Sequence, residues 1–411
     1  MIAPLEKPPS GRPGLARIWS DFGPGYAANG FVGWLFAITA PVAIILSVGS
    51  RGGLSEAEIS SWVFGVFFFN GLISIAFCWL YRQPLVFFWT IPGAVLVGPS
   101  LQHLGFAEVV GAFYLTGLLM FLLSITGWVR RAMAAVPMPI VMGMVAGVFL
   151  RFGLDLVRAL HEDLVIAAPM VLTWLVLSAV PVLGKRMPPI IGSLLAGVAA
   201  ALLDTRFDSD TFTAIEVIEP VLQAPSWSLA AAIELVVPLA ITVLVVQNGQ
   251  GIAVLRAVGH QPPVNAITAA CGIGSVVSAA FGGVSSCLTG PTNAIVSSSG
   301  EPSRHYTAGI FVGVLALGFG LLAPTFTRFL LDAPQAFVMT LAGLAMLKIL
   351  QAAFVTCFQT RFTLGALIAF LVTVADLPLF NIGAAFWGLI AGLLISRLLE
   401  KQDYVDARND A

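Results

Sequence analysis

The sequence predicts an all-α polytopic membrane protein of fourteen transmembrane segments, arranged as two inverted seven-span repeats. Three observations carry this reading. The first is composition: of 411 residues, 58% are hydrophobic and only 10% charged, and the mean hydropathy is +0.95. A soluble chain carries about 25% charged residues, so the deficit excludes a water-soluble globular domain. The second is a long series of apolar runs, each able to cross a hydrocarbon layer of about 30 Å. The third is a set of landmarks that recur at nearly one offset in the two halves of the chain.

Residues 1–27 are polar and rich in Pro and Gly, lack the basic-then-apolar pattern of a signal peptide, and read as a cytoplasmic tail. The first seven segments fall near 28–49, 58–80, 84–101, 107–128, 132–150, 165–183 and 188–204. A polar link at 205–227 reads as periplasmic, and a second series follows near 228–252, 262–280, 284–299, 306–327, 333–353, 362–378 and 380–398. The last residues, 399–411, form a second cytoplasmic tail. With both termini inside, fourteen Lys and Arg residues lie on the inner side, Arg82, Arg130, Arg131 and Arg256 among them. Five lie outside, namely Arg51, Arg151, Arg158, Arg206 and Arg328, and Lys348 falls within a segment. That is the positive-inside bias of a multi-span protein, and it supports an even count.

Ala37-Ile38-Thr39 recurs as Ala240-Ile241-Thr242, Pro92 as Pro291, and Pro137 as Pro334, at offsets of 203, 199 and 197 residues. Nearly constant spacing in the same order suggests a duplication. An odd number of spans per half turns the copies upside down, the plan of transporters whose site forms at the midplane from broken helices.

Two clusters interrupt the apolar pattern in the second half: Gln247-Asn248-Gly249-Gln250, and Ser285 to Asn293. Irregular backbone at membrane depth must line a cavity, because unsatisfied groups in lipid cost several kcal/mol each. In the first half the matching element is PLVFFWTIPGAVLVGPSL, 84–101. Proline suits the first turn of a helix, and the residue before it is extended. Pro92 and Pro291 are therefore expected each to start a half-helix, breaking the third and tenth spans, with the N-termini facing each other where an anion is favoured. The competing reading is two continuous helices merely kinked by proline; Ser285, Ser286, Thr289, Gly290, Thr292 and Asn293 add more polarity than a kink needs.

The candidate ligand contacts are Thr39, Phe88, Trp89, Thr90, Pro92, Gly93, Gln247, Asn248, Gln250, Thr289, Gly290, Pro291, Thr292 and Asn293. The amides can equally serve helix-to-helix hydrogen bonds. Phe87, Phe88 and Trp89 can wall an aromatic ring or simply pack, and Pro41 is a further candidate beside Thr39. Charge within the segments is scarce: Lys348 can snorkel, and Glu234 is the carboxylate to consider as a proton carrier. Cys78, Cys271, Cys287 and Cys357 stand singly in apolar runs, as small core residues do. The four histidines fall in predicted loops, no HExxH or Walker sequence occurs, and Gly272-Ile273-Gly274 has no third glycine at dinucleotide spacing. No enzyme, cofactor or metal is expected, and a net charge of −1 argues against nucleic acid.

At FFWTIPGAVLVGPSL, ITVLVVQNGQGIAVL and AAFGGVSSCLTGPTNAIV the chain resembles the benzoate transporter (BenE-type) family of bacterial inner-membrane proteins, over about Gly30 to Leu399. The resemblance implies benzoate uptake coupled to protons. More remotely the layout is similar to nucleobase permeases and to sulfate or bicarbonate transporters. It implies a core domain of spans 1–4 and 8–11, a gate domain of spans 5–7 and 12–14, and a homodimer. Nucleobase permeases carry acidic residues where this chain has Val246-Gln247-Asn248 and Gly290-Pro291-Thr292. A fixed negative charge would repel benzoate, so the departure fits an anionic ligand and leaves the proton to benzoate itself or to Glu234. The alternatives are a uracil- or xanthine-type permease, an inorganic-anion transporter, a passive channel, or a membrane scaffold.

Overall fold

The structure, a computed structural model, describes residues 5–134, 136–204, 215–298, 300–377, 379 and 384–409. Arg206 with the rest of 205–214, and the start of the last predicted segment at 380–383, lie outside the described residues. Among the described residues, seven helices are long and apolar enough to cross a membrane: Pro24–Arg51, Glu56–Tyr81, Phe106–Thr126, Met138–Glu162, Leu229–Ala257, Pro302–Leu321 and Gln335–Phe358. Six shorter apolar helices accompany them: Ile91–Ser100, Leu164–Ala179, Pro189–Leu203, Val264–Ala279, Thr363–Ala375 and Ala384–Leu399. The expected all-α polytopic class is what the chain adopts.

The helices pack in two groups. One gathers Pro24–Arg51, Glu56–Tyr81, Ile91–Ser100, Phe106–Thr126, Leu229–Ala257, Val264–Ala279, Gly290–Val296 and His305–Leu321. In the other, Met138–Glu162 lies along Gln335–Phe358 and Thr363–Ala375, with Ala384–Leu399 beside them, and Leu164–Ala179 packs on Pro189–Leu203. Lipid supplies no hydrophobic drive between helices, so close approach through small residues does the work. A Cβ on Gly117 would stand 2.9 Å from the Gly272 carbonyl, and one on Gly143 only 2.2 Å from that of Ala366. Each group is thus locked at backbone contacts that admit glycine alone.

Polar segments cap the helices. Ser55 and Glu58 form a reciprocal capping box at the start of Glu56–Phe64. The Glu6 carboxylate accepts from Asn265 N at 3.1 Å and Ala266 N at 3.0 Å, while Glu400 accepts from Leu364 N at 2.7 Å and Gly365 N at 3.0 Å. Both predicted tails are therefore clamped to helix starts, where a carboxylate is favoured by the free N–H groups. They are also partly helical, at Leu15–Asp21 and Lys401–Asn409. The described part of the link is an extended strap, with Gln223 N on Ala280 O at 2.8 Å, Ser226 N on Ala107 O at 2.8 Å, and Glu216 gripped by Arg328 at 2.7 and 2.9 Å.

Several boundaries differ from the sequence reading. The fifth segment runs as Met138–Glu162, so Arg151 and Arg158 extend a helix instead of lying in a loop. His161 and His305 are helical too. The first segment breaks at Thr39, whose ψ of −92° interrupts the helix before Pro41. An amphipathic helix, Ala323–Asp332, replaces the end of the eleventh segment.

Gly272→Val is expected to cost about 1–3 kcal/mol by overpacking, because its Cβ would lie 2.7 Å from Phe121 N. Gly318→Ala, with no atom within 4 Å of the new carbon, should be neutral. Thermal unfolding of the detergent-solubilised variants distinguishes them.

Candidate functional site

Both proline-marked segments leave the helical pattern, and they do so against each other. Phe87–Trp89 (β1) and Ser286–Leu288 (β2) pair antiparallel, Phe87 opposite Leu288, Phe88 opposite Cys287 and Trp89 opposite Ser286. The pairing extends symmetrically at each end, Thr90 N donating to Ser285 O at 3.0 Å and Thr289 N to Val86 O at 3.2 Å. Each strand then turns into a half-helix, Ile91–Ser100 after β1 and Gly290–Val296 after β2, with proline in the first turn of both. The kinked-helix alternative is thereby excluded: the backbone is extended before each proline.

The strands are buried, and every outward-facing backbone group needs a partner. Ser74 Oγ accepts from Phe87 N at 2.8 Å, and Ser275 Oγ accepts from Ser286 N at 2.9 Å. Asn248 Oδ1 accepts from Leu288 N at 2.8 Å. Asn293 Oδ1 accepts from Val86 N at 3.0 Å, and its Nδ2 donates to Val86 O at 2.9 Å and Thr289 O at 2.6 Å. Asn248 and Asn293 therefore act as struts of the strand pair. Ser74 and Ser275 escape a sequence reading, since one serine in an apolar helix carries no distinguishing pattern.

A small pocket opens beside this crossing, lined by Phe36, Ala37, Pro41, Phe88, Trp89, Ile91, Gln247, Thr289, Pro291 and Thr292. None of these side chains is charged. The free volume is about 20 Å³, room for about one water. Seven sequence candidates line it: Pro41, Phe88, Trp89, Gln247, Thr289, Pro291 and Thr292. Thr39 does not, and its hydroxyl donates to Leu35 O at 3.0 Å within its own helix. Gln250 is exposed on the far side of Gly290. Thr90, Pro92, Gly93, Gly290, Asn248 and Asn293 lie outside the lining and build the crossing behind it. Phe36, Ala37 and Ile91 are new; as ordinary apolar residues they carry no sequence signal.

The two half-helix starts differ. Thr90 Oγ1 accepts from Gly93 N at 3.1 Å and pairs with Thr242 Oγ1 at 3.0 Å, which closes the first. Thr289 makes no such cap, and its buried hydroxyl has no partner among the described residues. Trp89 Nε1 is likewise buried without a partner, and the Gln247 amide has none among the described residues. Gln247 sits on a π-helical stretch, Thr242–Asn248, the kind of local rewinding found often at functional sites.

A second, larger cavity of about 700 Å³ lies between the two helix groups at the end of the molecule that holds Arg51. Its lining includes Arg51, Ser100, Asp155 and Glu234 and shares no residue with the small pocket. Glu234, 4% exposed, is bonded by Ser100 Oγ and lies 2.9 Å from His103 Nε2.

Two apposed broken segments inside a many-helix membrane body, with a small uncharged pocket beside them, define a membrane transporter rather than an enzyme. Residues 20–398 match the model of the benzoate membrane transport protein family (BenE), and the chain belongs to that family. It is 30% identical to the inner membrane protein YdcO of Escherichia coli (strain K12), over 88% of this chain and 93% of that one. To the benzoate membrane transport protein of Acinetobacter baylyi it is 26% identical, over 94% and 98% of the two chains. The fold is similar to the transmembrane domain of a cyanobacterial bicarbonate transporter, BicA, with a TM-score of 0.63 at 17% identity, covering 93% of this chain and 98% of that one.

Asn293→Ala leaves Val86 N without its partner, while Val86 O keeps the Thr289 N–H, and an unsatisfied buried group costs about 1–3 kcal/mol. The variant is expected to lower thermal stability by about 1–3 kcal/mol, whereas Thr289→Val, which breaks no protein contact, leaves the unfolding midpoint unchanged.

Proposed function

We propose that the protein imports benzoate or a similar aromatic carboxylate together with protons. The observation that carries this is the chemistry of the small pocket: aromatic walls from Phe36, Phe88 and Trp89, no acidic group, and polar groups of Gln247, Thr289 and Trp89 left without protein partners. A carboxylate moved out of water needs donors to replace its hydration, and an indole N–H, a hydroxyl and an amide supply three. The ring lies against Phe88 and Trp89. This reading agrees with the name of the Acinetobacter relative.

The pocket is too small for a ring in this conformation, so binding requires the two helix groups to separate at one end. We read the group around the strand pair as the core and the other as the gate, and the transport cycle as alternating movement of one against the other. The symmetric strand pairing and the matched half-helices support two inverted seven-span repeats, 28–204 and 228–398. The basic-residue bias supports both termini in the cytoplasm, and the E. coli relative supports an inner-membrane location. A homodimer completes the proposal on the strength of the family resemblance.

The test is uptake of labelled benzoate by proteoliposomes, with and without an inward proton gradient, against protein-free liposomes, since benzoic acid crosses bilayers unaided. Saturable, gradient-driven uptake that excess uracil and sulfate leave intact is expected. Competition by uracil would favour the nucleobase reading, and uptake equal to the protein-free control would overturn transport of benzoate. Gln247→Ala and Thr289→Val should each weaken benzoate binding about tenfold, the worth of one hydrogen bond to a charged group.

A further inference from the structure

Glu234 is a buried carboxylate in the most apolar long helix, of mean hydropathy 2.6, and the substrate pocket does not use it. Burial of an ion in such a place is costly unless it is paired or can neutralise itself. The two aspartates around the large cavity have arginines. Asp155 lies 2.8 Å from Arg51 and 2.9 Å from Arg158, and Asp376 lies 3.5 Å from Arg151. Glu162, also on the lining, is exposed. Glu108, on the neighbouring helix, is held by Gly105 N at 2.8 Å. Glu234 has instead a histidine and a serine hydroxyl, both able to change their role.

Every polar neighbour of Glu234 can serve two protonation states. When the carboxylate is charged, Ser100 Oγ donates to Oε1 and a neutral His103, in the tautomer that carries its proton on Nε2, donates to Oε2. When it is neutral, Ser100 can turn its proton to Leu96 O, 3.3 Å away, and His103 can present a bare ring nitrogen as acceptor. A purely structural carboxylate has no need of a second set of partners. Glu234 also occupies a π-helical turn, Ala232–Val236, and it lines the 700 Å³ cavity with Ser100, which gives protons a way in from that end.

Building on the transporter reading above, we infer that Glu234, with His103 and Ser100, is the proton-binding site of the cycle, separate from the substrate pocket. The link between the two is mechanical. Glu234 and Gln247 share one helix, thirteen residues and about 20 Å apart at the helical rise. The half-helix Ile91–Ser100 runs beside that helix and is tied to it at both ends, by Ser100 to Glu234 and by Thr90 to Thr242 at 3.0 Å. Loading a proton removes a negative charge from the wall facing the gate, and the tie passes the change to the threonine beside the pocket. The proton leaves the carboxylate once the core has moved and the site opens to the other side.

The test separates proton coupling from translocation. In proteoliposomes, Glu234→Gln is expected to lose gradient-driven benzoate accumulation, down to the protein-free control, while keeping benzoate counterflow, which needs no net proton transfer. Accumulation at the wild-type level overturns the inference, and so does loss of both modes in a folded variant, which would mean a structural role. If Glu234→Gln does not fold, Ser100→Ala decides. Removing a donor to the charged form should move the pH midpoint of uptake upward by about one unit, and an unmoved midpoint overturns the inference. A readout without substrate separates this proposal from the identity of the ligand. Infrared difference spectra across a pH titration should contain a protonated-carboxyl band that Glu234→Gln removes, whether or not benzoate is transported. Absence of that band in the wild-type protein overturns the proton site while leaving the substrate reading standing.

Discussion

The constraint on which the structure turns is that backbone groups buried in the middle of a membrane protein must find their hydrogen-bond partners within the protein. Two segments that leave the helix there must therefore complete each other. β1 and β2 do so with a symmetric ladder, and Ser74, Ser275, Asn248 and Asn293 take up the groups left on the outer edges. Partners come from as far as 207 residues away in sequence. The crossing consequently holds both halves of the chain at one point, and the half-helix starts are placed with the precision of backbone pairing. A ligand site built there needs few side chains of its own, because the scaffold has already fixed the geometry.

Much of this was legible in the sequence, and the limits have physical causes. Pro92 and Pro291 announce the half-helices because proline without an N–H fits a first turn and forces extension before it. The amide cluster at 247–250 is conspicuous because amides are expensive in lipid. Sequence gives the cost, however, and not the partner. Asn293 and Asn248 look like ligand contacts for the same reason that Gln247 does, yet their amides are spent on strand backbone. Gln250, two residues beyond Asn248, is exposed. The helix Met138–Glu162 outran its predicted end because Arg151, Asp155 and Arg158 depress a hydropathy window, although arginine is a good helix former and the three side chains reach the cavity.

Near-symmetry makes the remaining difference between the halves informative. Thr90 and Thr289 occupy matching positions before matching prolines, at an offset of 199 residues. Thr90 spends its hydroxyl on Gly93 and Thr242, whereas Thr289 leaves its own unpartnered beside Gln247. The crossing offers two half-helix starts, and this chain has sealed one. The sealed start doubles as a mechanical tie between the half-helix and the Gln247 helix. The open one retains what a ligand can use.

The distribution of charge completes the argument. The small pocket is lined by uncharged residues throughout, and four carboxylates, Asp155, Glu162, Glu234 and Asp376, line the large cavity instead. An acidic group beside an anionic ligand would repel it in its charged form and release its proton to it in its neutral form, so that neither state serves both cargoes. Under the proposed cycle, separating the two sites removes that conflict at the cost of needing a rigid connection between them. The tie points Ser100–Glu234 and Thr90–Thr242, at opposite ends of one half-helix, are such a connection. A helix of ten residues is short enough to move as one body, and the glycine-locked packing of its group leaves little slack for the motion to dissipate.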